Sequence, residues 1–387
     1  MYSILTLNKI AACGTDKFGG NYTCSSDVKD PTAIMVRSAS MHEMELSDAT
    51  IAIARAGAGT NNIPVEACAE KGVVVFNTPG ANANAVKELV ICGLLMASRK
   101  VGAAIDWCKT LKGEGEAVGK LVEKGKSNFA GPEIGGKTLG IVGLGAIGFK
   151  VAVAASALGM KIVGYDPFLS DAVRAQLPEG TKVVTDINDI FKESDYITLH
   201  LPLNDATKNT VNKETLALCK DGVRILNFAR GGLVNSDAVI EALDEGKMAC
   251  YVTDFPDAKL IGVDGVIAIP HLGASTPESE ENCAAMGAQE LIDYLKDGNI
   301  KNSVNMPAVF MARGGVARVT VIHKNQPNMI ATITDTISKD GVNIASFEDK
   351  SRGEIAYSII DCDSEVSDAV AKDIENLDGV IRVRVIK

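Results

Sequence analysis

Three glycines that follow a short apolar run could hold the phosphates of a dinucleotide. The run Thr138–Val142 leads directly into Gly143, Gly145 and Gly148, which have the G-x-G-x-x-G spacing. In this spacing the first glycine permits a tight turn, the second lets backbone N–H groups approach a pyrophosphate, and the third allows a helix to pack closely on a strand. The segment Phe149–Leu158 is predicted to be that helix, and its first amides favour an anion because they lack partners.

An acidic residue in the next segment indicates which dinucleotide is bound. A second predicted strand, Lys161–Tyr165, is followed directly by Asp166. A carboxylate at this point of a dinucleotide-binding fold accepts hydrogen bonds from the hydroxyls of the adenosine ribose and repels a 2′-phosphate. Because strand, turn, helix, second strand and acid occur together, the sequence predicts NAD rather than NADP as the cofactor.

Two polar residues farther along the chain could carry out a reaction. Arg230 follows the predicted strand Arg224–Phe228, and His271 follows the predicted strand Val266–Ile269. Open α/β sheets bind ligands at the carboxyl ends of their strands, so both side chains are predicted to lie beside the cofactor. Imidazole titrates near neutral pH and suits a general base, and the planar guanidinium suits a substrate carboxylate. The pair therefore predicts hydride transfer from a hydroxyl-bearing carbon of a carboxylic acid.

The composition is that of an ordinary globular protein. The 387 residues are 46% hydrophobic and 23% charged, which predicts two or three domains. The net charge of −10 argues against nucleic acid or an anionic membrane as a partner, and an acidic substrate would need a local cluster of cations. The nine cysteines are scattered, so reduced thiols and no metal site are predicted. No segment resembles a signal peptide or reaches the roughly 18 apolar residues of a membrane span, so a cytoplasmic location is expected.

The first part of the chain alternates β-rich and helical runs. The predicted strands of residues 1–98 are Ile34–Val36, Ile51–Ile53 and Val73–Phe76. Such alternation indicates a parallel sheet with helices on both faces. Arg37 and Ser38 follow the first strand, and Gly57 and Gly59 follow the second, so this part is predicted to hold the substrate. Lys87 lies near the start of the next predicted helix and is either a solvated helix residue or a contact for an anionic substrate.

The middle of the chain continues this alternation. Residues 99–135 are predicted to form a long polar helix and a connection into the cofactor domain. The further strands of that domain are predicted at Lys182–Val184, Tyr196–Leu199, Arg224–Phe228 and Cys250–Thr253. A helix over Glu278–Lys296 is predicted to return to the first domain, which makes that domain discontinuous.

The last part of the chain has a different order of elements. The predicted elements are strand Ala317–His323, helix Asn328–Lys339, strand Val342–Asp349, strand Glu354–Asp361, helix Glu365–Leu377 and strand Ile381–Ile386. This order is a βαββαβ module of ferredoxin type. It is predicted to fold separately, after a linker, with Asn343 opening a strand that pairs beside His323.

The motifs resemble those of the D-isomer-specific 2-hydroxyacid dehydrogenases. The matching stretches are Gly136–Gly148, Asn227–Gly232 and Pro270–Ala274, and the tail resembles an ACT regulatory domain at His323–Met329 and Gly341–Ile344. The resemblance implies an α/β protein with a Rossmann-type NAD domain inserted in a flavodoxin-like substrate domain, followed by a βαββαβ ACT-like domain. The implied boundaries are 1–98 and 277–306 for the substrate domain, 99–276 for the NAD domain, 307–316 for the linker and 317–387 for the ACT domain.

The resemblance also implies an activity and a set of contacts. A dehydrogenase of this family with an ACT-like tail implies oxidation of 3-phospho-D-glycerate to 3-phosphooxypyruvate, the first step of L-serine biosynthesis. The implied NAD contacts are Gly143, Gly145, Ala146, Ile147, Gly148, Asp166, Leu201, Pro202, Phe228, Ala229, Arg230, Asp254, His271, Gly273 and Ala274. The implied contacts of the phosphorylated acid are Arg37, Ser38, Gly57, Gly59, Asn82 and Lys87. An L-serine effector is implied at His323, Asn325 and Asn343 between paired tails, in a homodimer or homotetramer.

One stretch departs from the family pattern. The family places an Asp-x-Phe-x-x-Glu-Pro run between the arginine and the histidine, and the matching stretch here is Thr253–Lys259. The family's glutamate hydrogen-bonds the histidine, and its position falls on Ala258. Asp257 is therefore predicted to be the catalytic partner of His271, and Asp254 is predicted to lie near the nicotinamide.

Two other functions fit these residues. An NAD-dependent reductase of an unphosphorylated 2-oxo acid, such as glyoxylate or hydroxypyruvate, would use the same fold, and the ACT-like tail argues against it. A non-catalytic NAD-sensing interaction protein would explain the absent glutamate. The presence of both Arg230 and His271 argues against that second alternative.

Overall fold

The structure is a computed structural model that describes residues 1–387 and divides into two compact units. The first unit comprises Met1–Asn82 and Pro277–Lys387, and the second comprises Ala83–Thr276. The strands are β1 Tyr2–Leu7, β2 Tyr22–Ser25, β3 Ala33–Val36, β4 Ala52–Arg55, β5 Val74–Phe76, β6 Thr138–Val142, β7 Lys161–Tyr165, β8 Lys182–Val184, β9 Tyr196–Leu199, β10 Val223–Asn227, β11 Met248–Thr253, β12 Val266–Ala268, β13 Ala317–Lys324, β14 Ile344–Arg352, β15 Ile355–Cys362 and β16 Val380–Ile386. The helices are α1 Ala12–Thr15, α2 Val65–Glu70, α3 Ala83–Arg99, α4 Val101–Thr110, α5 Val118–Gly125, α6 Ala146–Ala157, α7 Asp171–Arg174, α8 Ile187–Glu193, α9 Lys213–Leu218, α10 Ser236–Asp244, α11 Pro277–Asp297, α12 Met329–Lys339 and α13 Asp368–Glu375. None of these helices is long and apolar enough to cross a lipid bilayer.

The second unit is built on a parallel sheet of seven strands in the order β12-β11-β10-β9-β6-β7-β8. The strand order reverses at β6, which pairs with β7 on one side and with β9 on the other. In open α/β sheets such a reversal opens a crevice at the carboxyl ends of the strands, where ligands bind. Most residues of the central strands are buried, because helices cover both faces of the sheet.

Helix α3 belongs to this second unit. Its apolar side, which includes Val86, Val90 and Leu94, is buried in the core on one face of the seven-stranded sheet. Gly93 brings the helix close to that sheet, since an added Cβ would lie 3.0 Å from the ring of Phe228. The second unit therefore starts at Ala83, whereas the boundary predicted from the sequence lies after residue 98.

The polar segment after α3 is broken rather than one long helix. Two helices, α4 and α5, are separated by a short 3-10 helix at Gly115–Ala117, and a second 3-10 helix covers Lys126–Phe129. Gly113 and Gly115 both have positive φ, at 103° and 50°, which interrupts a continuous helix. Trp107 packs against Phe129 with ring centroids 5.3 Å apart.

The first unit contains a parallel sheet of five strands in the order β2-β1-β3-β4-β5. Helix α11, with 21 residues, buries Ala288, Leu291 and Leu295 in the same core as this sheet. The chain thus returns after the second unit to pack on the first sheet. Together with the second unit's sheet and the antiparallel tail, this architecture confirms the predicted α/β fold class.

The tail forms a four-stranded antiparallel sheet in the order β14-β15-β13-β16. The prediction that Asn343 opens a strand beside His323 is wrong, because β15 lies between β14 and β13. Strand β13 is buried on both faces: Val319 and Val321 pack under the tail helices, and Ile322 packs toward the core of α11 and the five-stranded sheet. The tail therefore shares part of its core with the rest of the first unit.

Side chains of the tail also satisfy the end of α11. The last carbonyls of a helix lack partners within the helix. Arg318 Nη1 donates to the carbonyl of Asp297 at 2.7 Å, and Tyr357 Oη donates to that of Gly298 at 2.6 Å. Arg384 donates to the carbonyls of Tyr294 and Leu295, its Nη2 lying 2.9 Å from the latter. The tail thus provides the C-terminal cap of the helix that completes the first unit.

Candidate active site

The glycine turn after β6 has the backbone conformation that the sequence predicted. Gly143 has φ of +94°, and a Cβ there would lie 2.6 Å from the carbonyl oxygen of His200. Its amide donates to the carbonyl of Tyr165 at 2.8 Å, which ties the turn to β7. Only glycine suits this position, because it combines positive φ with close approach of another backbone.

The next two glycines differ in their surroundings. A Cβ on Gly148 would overlap the carbonyl oxygen of Gly143, so α6 packs against the turn too closely for any side chain. A Cβ on Gly145 would meet no atom within 4 Å. Gly145 is the N-cap of α6, which has no side-chain cap, so the first amides of this 12-residue helix face open space. Amides in this arrangement suit a pyrophosphate.

The remaining predicted contacts near the turn lie on the same edge of the sheet. Ala146 and Ile147 form the first turn of α6, and Leu201 and Pro202 follow β9 directly. A cavity of about 190 Å³ beside the turn is lined by Leu144, Gly145, Ala146, Phe149, Val173 and Gln176. Glycine spacing, unpartnered amides and this cavity together fit a dinucleotide.

Asp166 is fixed by the backbone around it. Its Oδ2 accepts a hydrogen bond from the amide of Leu144 at 2.9 Å, and its Oδ1 accepts from the amide of Phe168 at 2.9 Å. A carboxylate has about four lone-pair sites, so it can still accept hydrogen bonds from ribose hydroxyls.

His200 is a residue of this edge that the sequence interpretation missed. Its Nε2 lies 3.1 Å from Thr198 Oγ1, while its Nδ1 is buried without a partner. Burial lowers the pKa of this imidazole to about 3, which keeps it neutral. Its place directly after β9, ahead of Leu201 and Pro202, is the pattern that could have identified it.

Arg230 is positioned by a short loop after β10. Buried Asn227 shapes the loop, because its Nδ2 donates to the carbonyl of Arg230 at 2.9 Å and its Oδ1 accepts from the amide of Ala229 at 3.2 Å. The loop starts at Phe228, which is buried in the core. The Arg230 guanidinium is exposed, lies 5.9 Å from the centre of the Phe255 ring, and donates to the carbonyl of Ala229 at 2.7 Å.

The same phenylalanine contacts His271. The two ring centroids lie 4.4 Å apart at an interplanar angle of 47°. Phe255 therefore lies beside both predicted catalytic side chains, and the sequence interpretation gave it no role. Its position one residue after Asp254, within the stretch that departs from the family pattern, is the signal that could have identified it.

Asp254 lies beneath this cluster. It is 1% exposed, its Oδ2 accepts a hydrogen bond from the amide of Gly273 at 3.1 Å, and its Oδ1 is buried without a partner. Burial raises the pKa of this carboxyl, while the Gly273 amide and the charges of His271 and Arg230 act in the opposite direction. Gly273 and Ala274, which complete the predicted NAD contacts, belong to the loop that follows His271.

The predicted pairing of Asp257 with His271 is not found. Asp257 Oδ2 accepts from Ser236 Oγ at 2.6 Å, and Oδ1 accepts from the amides of Lys259 and Leu260 at 2.9 and 3.2 Å. The Ser236 hydroxyl, with these amides, lowers the pKa of Asp257. Its carboxylate closes a surface loop, and the ring of His271 makes no hydrogen bond to it.

The predicted substrate residues of the first unit follow neighbouring strands. Arg37 comes after β3 and forms an ion pair with Glu280 at 2.5 Å. The amide of Ser38 donates to Asn8 Oδ1 at 3.1 Å, which ties the ends of β1 and β3 together. Asn82 is the last residue before α3.

The loop after β4 holds a further cation. Gly57 has φ of +145°, and a Cβ there would overlap the Nη1 atom of Arg55. Gly57 therefore provides the space in which the half-buried Arg55 side chain lies. Gly59 lies in the same loop, and the carbonyl of Ala58 between the two glycines accepts from Asn77 Nδ2 at 2.7 Å. Arg55, the last residue of β4, is missing from the sequence-based list, although an arginine at a strand's carboxyl end is the pattern that identified Arg37.

Lys87 belongs to the second unit. Its side chain is 21% exposed, and its Nζ lies 3.4 Å from Glu88 Oε1. This geometry does not decide between a solvated helix residue and a contact for an anionic substrate.

The predicted effector residues of the tail are engaged within the tail. His323 is 2% exposed; its Nδ1 lies 2.9 Å from the carbonyl of Lys324, and its Nε2 lies 3.0 Å from Asp349 Oδ1. Asn325 Nδ2 donates to the carbonyl of Gly353, and Asn343 Nδ2 donates to Asp363 Oδ2 at 2.8 Å. The expectation that His323 is available to a ligand is therefore wrong, because burial and two partners occupy its ring.

These features define a family. The model of the "D-isomer specific 2-hydroxyacid dehydrogenase, NAD binding domain" matches residues 91–273. The D-3-phosphoglycerate dehydrogenase of Escherichia coli is 32% identical over 342 residues, which are 85% of this chain and 79% of that protein. The chain belongs to the D-isomer-specific 2-hydroxyacid dehydrogenase family, and its second unit is the NAD-binding domain.

Other relatives carry the same name. The D-3-phosphoglycerate dehydrogenase of Methanocaldococcus jannaschii is 38% identical over 291 residues, or 73% of this chain. The human D-3-phosphoglycerate dehydrogenase is 35% identical over 302 residues, or 74% of this chain. These matches span about half of the relatives' length, 53% in both cases.

Solved structures show the same fold. The NAD⁺-bound 3-phosphoglycerate dehydrogenase of Entamoeba histolytica is similar with a TM-score of 0.61 and 28% identity, covering 79% of this chain and 98% of that one. A glyoxylate reductase from Paecilomyes thermophila has a TM-score of 0.66 and 25% identity, covering 78% of this chain and 98% of that one. The NAD cofactor predicted from the glycines and Asp166 is thus confirmed.

Proposed function

We propose that this dehydrogenase oxidises 3-phospho-D-glycerate to 3-phosphooxypyruvate, the first step of L-serine biosynthesis. The observation that carries the proposal is the cluster after β10, β11 and β12, in which Phe255 contacts both Arg230 and His271. Relatives at 32% and 38% identity that are D-3-phosphoglycerate dehydrogenases support the choice of substrate.

Each member of the cluster has a separate task in this reaction. NAD, when bound, accepts the hydride. His271 takes the hydroxyl proton on an imidazole nitrogen, and Arg230 binds the substrate carboxylate through its planar fork. Arg230 has donors beyond the one that it gives to Ala229, so a bidentate contact is open to it. Phe255 packs against the imidazole of His271 and limits its freedom, which lowers the entropy lost when the substrate binds.

The phosphate needs cations in a chain whose net charge is −10. Arg37 and Arg55 are the candidates in the first unit, because Val36 and Arg55 are register partners on β3 and β4 and Arg37 follows Val36 directly. Two guanidinium groups at one edge of a sheet suit a phosphate dianion. Ser38, Gly57, Gly59 and Asn82 of the first unit complete the substrate contacts proposed for that unit.

The deciding experiment measures activity with three substrates, in the parent and in variants that lack one of the two arginines. NADH oxidation is measured with 3-phosphohydroxypyruvate, hydroxypyruvate and glyoxylate, for the parent and for Arg55→Ala and Arg37→Ala. We expect the parent to favour the phosphorylated acid, and each variant to lose at least about 10-fold of that preference in kcat/KM. Lys120→Ala, on the exposed side of α5, is the control and should keep the preference. Equal efficiency with all three acids in the parent would refute the proposal.

A reductase of an unphosphorylated 2-oxo acid is the second candidate. The observation that favours it is the ion pair between Arg37 and Glu280, which neutralises one of the cations proposed for the phosphate. Its expected result is a parent that prefers glyoxylate or hydroxypyruvate. No turnover of any acid, with NADH binding retained, would instead indicate an NAD-sensing interaction protein.

Self-association is proposed from α4. This helix buries none of its residues, and Val101 and Ile105 are 42% and 52% exposed beside Leu95 at 43%. An apolar helix face of this kind suits a second copy of the chain, as a homodimer or part of a homotetramer. Light scattering of the parent and of Ile105→Glu tests it: we expect the variant to lower the mass of the assembly, and a monomeric parent contradicts the proposal.

Binding of L-serine is proposed only for the two exposed residues of the three predicted effector contacts. Asn325 and Asn343 are exposed on the tail, and their amide groups could exchange their present partners for a small amino acid. Calorimetric titration with L-serine should give heat with the parent and less with Asn343→Ala. An absence of heat and of inhibition at millimolar serine would reduce the tail to a structural role.

A further inference from the structure

Helix α11 buries a carboxyl group that the proposed reaction does not use. Glu290 is 5% exposed, its Oε1 accepts a hydrogen bond from Asn302 Nδ2 at 2.6 Å, and its Oε2 is buried without a partner. Burying a carboxyl costs free energy, whereas an apolar side chain of similar size would stabilise the same position. The acceptor offered to Asn302 is what distinguishes Glu290 from such a side chain.

Asn302 passes this contact to the end of β5. Its carbonyl accepts from the backbone amide of Asn77, the residue that follows β5, at 3.2 Å. The next residue along, Ser303, forms an antiparallel bridge with Phe76, so the two segments run side by side. A displacement of Asn302 is therefore transmitted to Asn77.

Asn77 in turn holds the loop that follows β4. Its Nδ2 donates to the carbonyl of Ala58 at 2.7 Å, and the amide of Thr78 donates to the carbonyl of Gly57 at 3.0 Å. These bonds turn two loop carbonyls toward the end of β5. The amides of Ala58 and Gly59 make no hydrogen bond within the chain, so they are left for an acceptor on a ligand. An oxygen of an anionic substrate is such an acceptor.

We propose that Glu290 is a positioning residue for the Gly57–Gly59 loop, which it holds through Asn302 and Asn77 in the conformation that receives the substrate. The inference rests on the proposed function, in which Gly57 and Gly59 are substrate contacts. Glu290 acts only through its neighbours, because the bonds from Asn302 to Glu290, from Asn77 to Asn302 and from Asn77 to Ala58 lie between its carboxyl and the loop. Removal of the acceptor leaves Asn302 Nδ2 without its partner, which releases Asn77 and then the loop.

The contact, rather than the charge, carries this role. Burial raises the pKa of Glu290 to about 7, against smaller effects of the Asn302 hydrogen bond and the Lys301 charge, and Asp293 on the same helix adds to the rise. Both protonation states keep an oxygen that can accept from Asn302 Nδ2. Glutamine keeps that oxygen as well, so it should replace Glu290, whereas leucine should not.

Four variants test the relay. Glu290→Gln keeps the acceptor, Glu290→Leu removes it at similar volume, and Asn302→Ala removes the donor. Glu70→Leu is the matched control, because it makes the same substitution at an exposed position of α2 in the same unit. Thermal unfolding checks that each variant is folded, and Asn302→Ala tests the same bond if Glu290→Leu does not fold.

The first readout does not depend on turnover. Hydrogen exchange is followed at the amides of Asn77 and Thr78, which donate to the carbonyls of Asn302 and Gly57. We expect Glu290→Leu to accelerate exchange at both by about 10-fold or more, and Glu290→Gln and Glu70→Leu to leave it close to the parent rate. Unchanged exchange in Glu290→Leu would overturn the proposal. Equal acceleration in every strand of the five-stranded sheet would make Glu290 a stabilising residue only and would also overturn it.

The second readout separates binding of the acid from the other steps. With NADH and the best 2-oxo acid, Glu290→Leu should raise the KM for the acid about 10-fold or more, with a smaller change in kcat and with KM for NADH unchanged. Glu290→Gln should restore the parent KM. Asn302→Ala should match Glu290→Leu, and the double variant should be no worse than either, because both remove one bond. Additive effects, or a fall in kcat at unchanged KM, would overturn the proposal. If the parent reduces no 2-oxo acid, the proposed function fails, and hydrogen exchange still tests the relay.

Discussion

The carboxylate of Asp166 accepts a hydrogen bond from the backbone amide of Leu144 at 2.9 Å, which joins the end of β7 to the glycine turn after β6. One side chain therefore shapes the turn that is proposed to receive the phosphates, and it also presents its charge at the proposed position of the ribose. Cofactor choice and turn geometry are coupled through this contact.

This coupling predicts two different results for two substitutions of Asp166. Asp166→Asn keeps an acceptor for the Leu144 amide but loses the charge, so the preference for NAD over NADP should fall by about 10-fold or more with little loss of stability. Asp166→Ala should also weaken NAD binding, because the turn loses its acceptor. Kinetics with both cofactors and thermal unfolding measure the two effects. A parent protein that uses NAD and NADP equally well contradicts the assignment.

The glycines of the turn should respond unequally to alanine. A Cβ on Gly148 overlaps the carbonyl of Gly143, so Gly148→Ala should destabilise the protein by about 1–3 kcal/mol and impair NAD binding. A Cβ on Gly145 meets no atom within 4 Å, so Gly145→Ala should leave the free energy of unfolding unchanged while it weakens NADH binding. Chemical unfolding and NADH fluorescence titration separate the two. Unimpaired NADH binding in Gly145→Ala would show that the phosphates do not approach this amide.

Variants of the proposed catalytic pair should lose activity and keep cofactor binding. His271→Ala removes proton transfer, which is typically worth about 10²–10⁴-fold in rate. Arg230→Lys should also lose most activity, since an ammonium cannot reproduce the bidentate fork. NADH binding by both variants should stay close to that of the parent. Parent-like turnover in both would exclude them as the catalytic pair.

The ion pair of Arg318 with Asp361 should matter for stability. Arg318 Nε lies 2.6 Å from Asp361 Oδ1, and both side chains are at most 1% exposed. Burial alone would raise the pKa of Asp361, but hydrogen bonds from Arg318 and Gly314 and the Arg318 charge hold it below its usual value. A depressed carboxyl pKa adds stability above the unfolded-state value and loses it as pH falls. Arg318→Ala should cost about 3–5 kcal/mol at neutral pH, measured by urea unfolding, against Arg313→Ala as a less buried control.

Glu290 should give stability the opposite dependence on pH. It is 5% exposed, accepts from Asn302 Nδ2 at 2.6 Å, and its pKa is raised by burial from 4.5 to about 7. The folded protein therefore binds a proton that the unfolded chain releases, so this carboxyl lowers the free energy of unfolding as pH rises from about 4.5 to about 7. Glu290→Gln should flatten the unfolding curve over that range. An unchanged dependence would place the titration elsewhere.

The pattern of apolar and polar residues was sufficient to predict the strands and the helix that carry the proposed NAD site. Strands β6, β7, β8 and β9 begin and end at the predicted residues, because each is a continuous apolar run with polar residues or glycine at its ends. Helix α6 begins at Ala146 instead of Phe149, since the residues between the last two glycines already form its first turn. Strand β2 was not predicted, and its alternating half-exposed residues fit an edge strand with little apolar content.

Side-chain partners could not be predicted in the same way. Asp257 was chosen for His271 by its position in the chain, but Ser236, at the start of α10, takes its carboxylate. His323 was expected to meet a ligand, but Asp349 of the edge strand takes its ring. Both partners come from elements distant in the sequence, so the pairing depends on how the strands and helices pack. Asp254 was also placed by its position in the chain, near the nicotinamide, and its side chain is buried in the loop after β11.

The cap that the tail places on α11 makes local melting of the tail difficult. Opening the tail would strip Arg318 and Tyr357 from the carbonyls of Asp297 and Gly298 and would expose the core that Ile322 shares with the five-stranded sheet. Segments coupled in this way open as one cooperative unit, so hydrogen exchange in β13 and in the last turn of α11 should report a single event. A small molecule that bound to the tail would then stabilise the whole first unit by mass action, and any ligand of that unit would stabilise the tail by the same linkage.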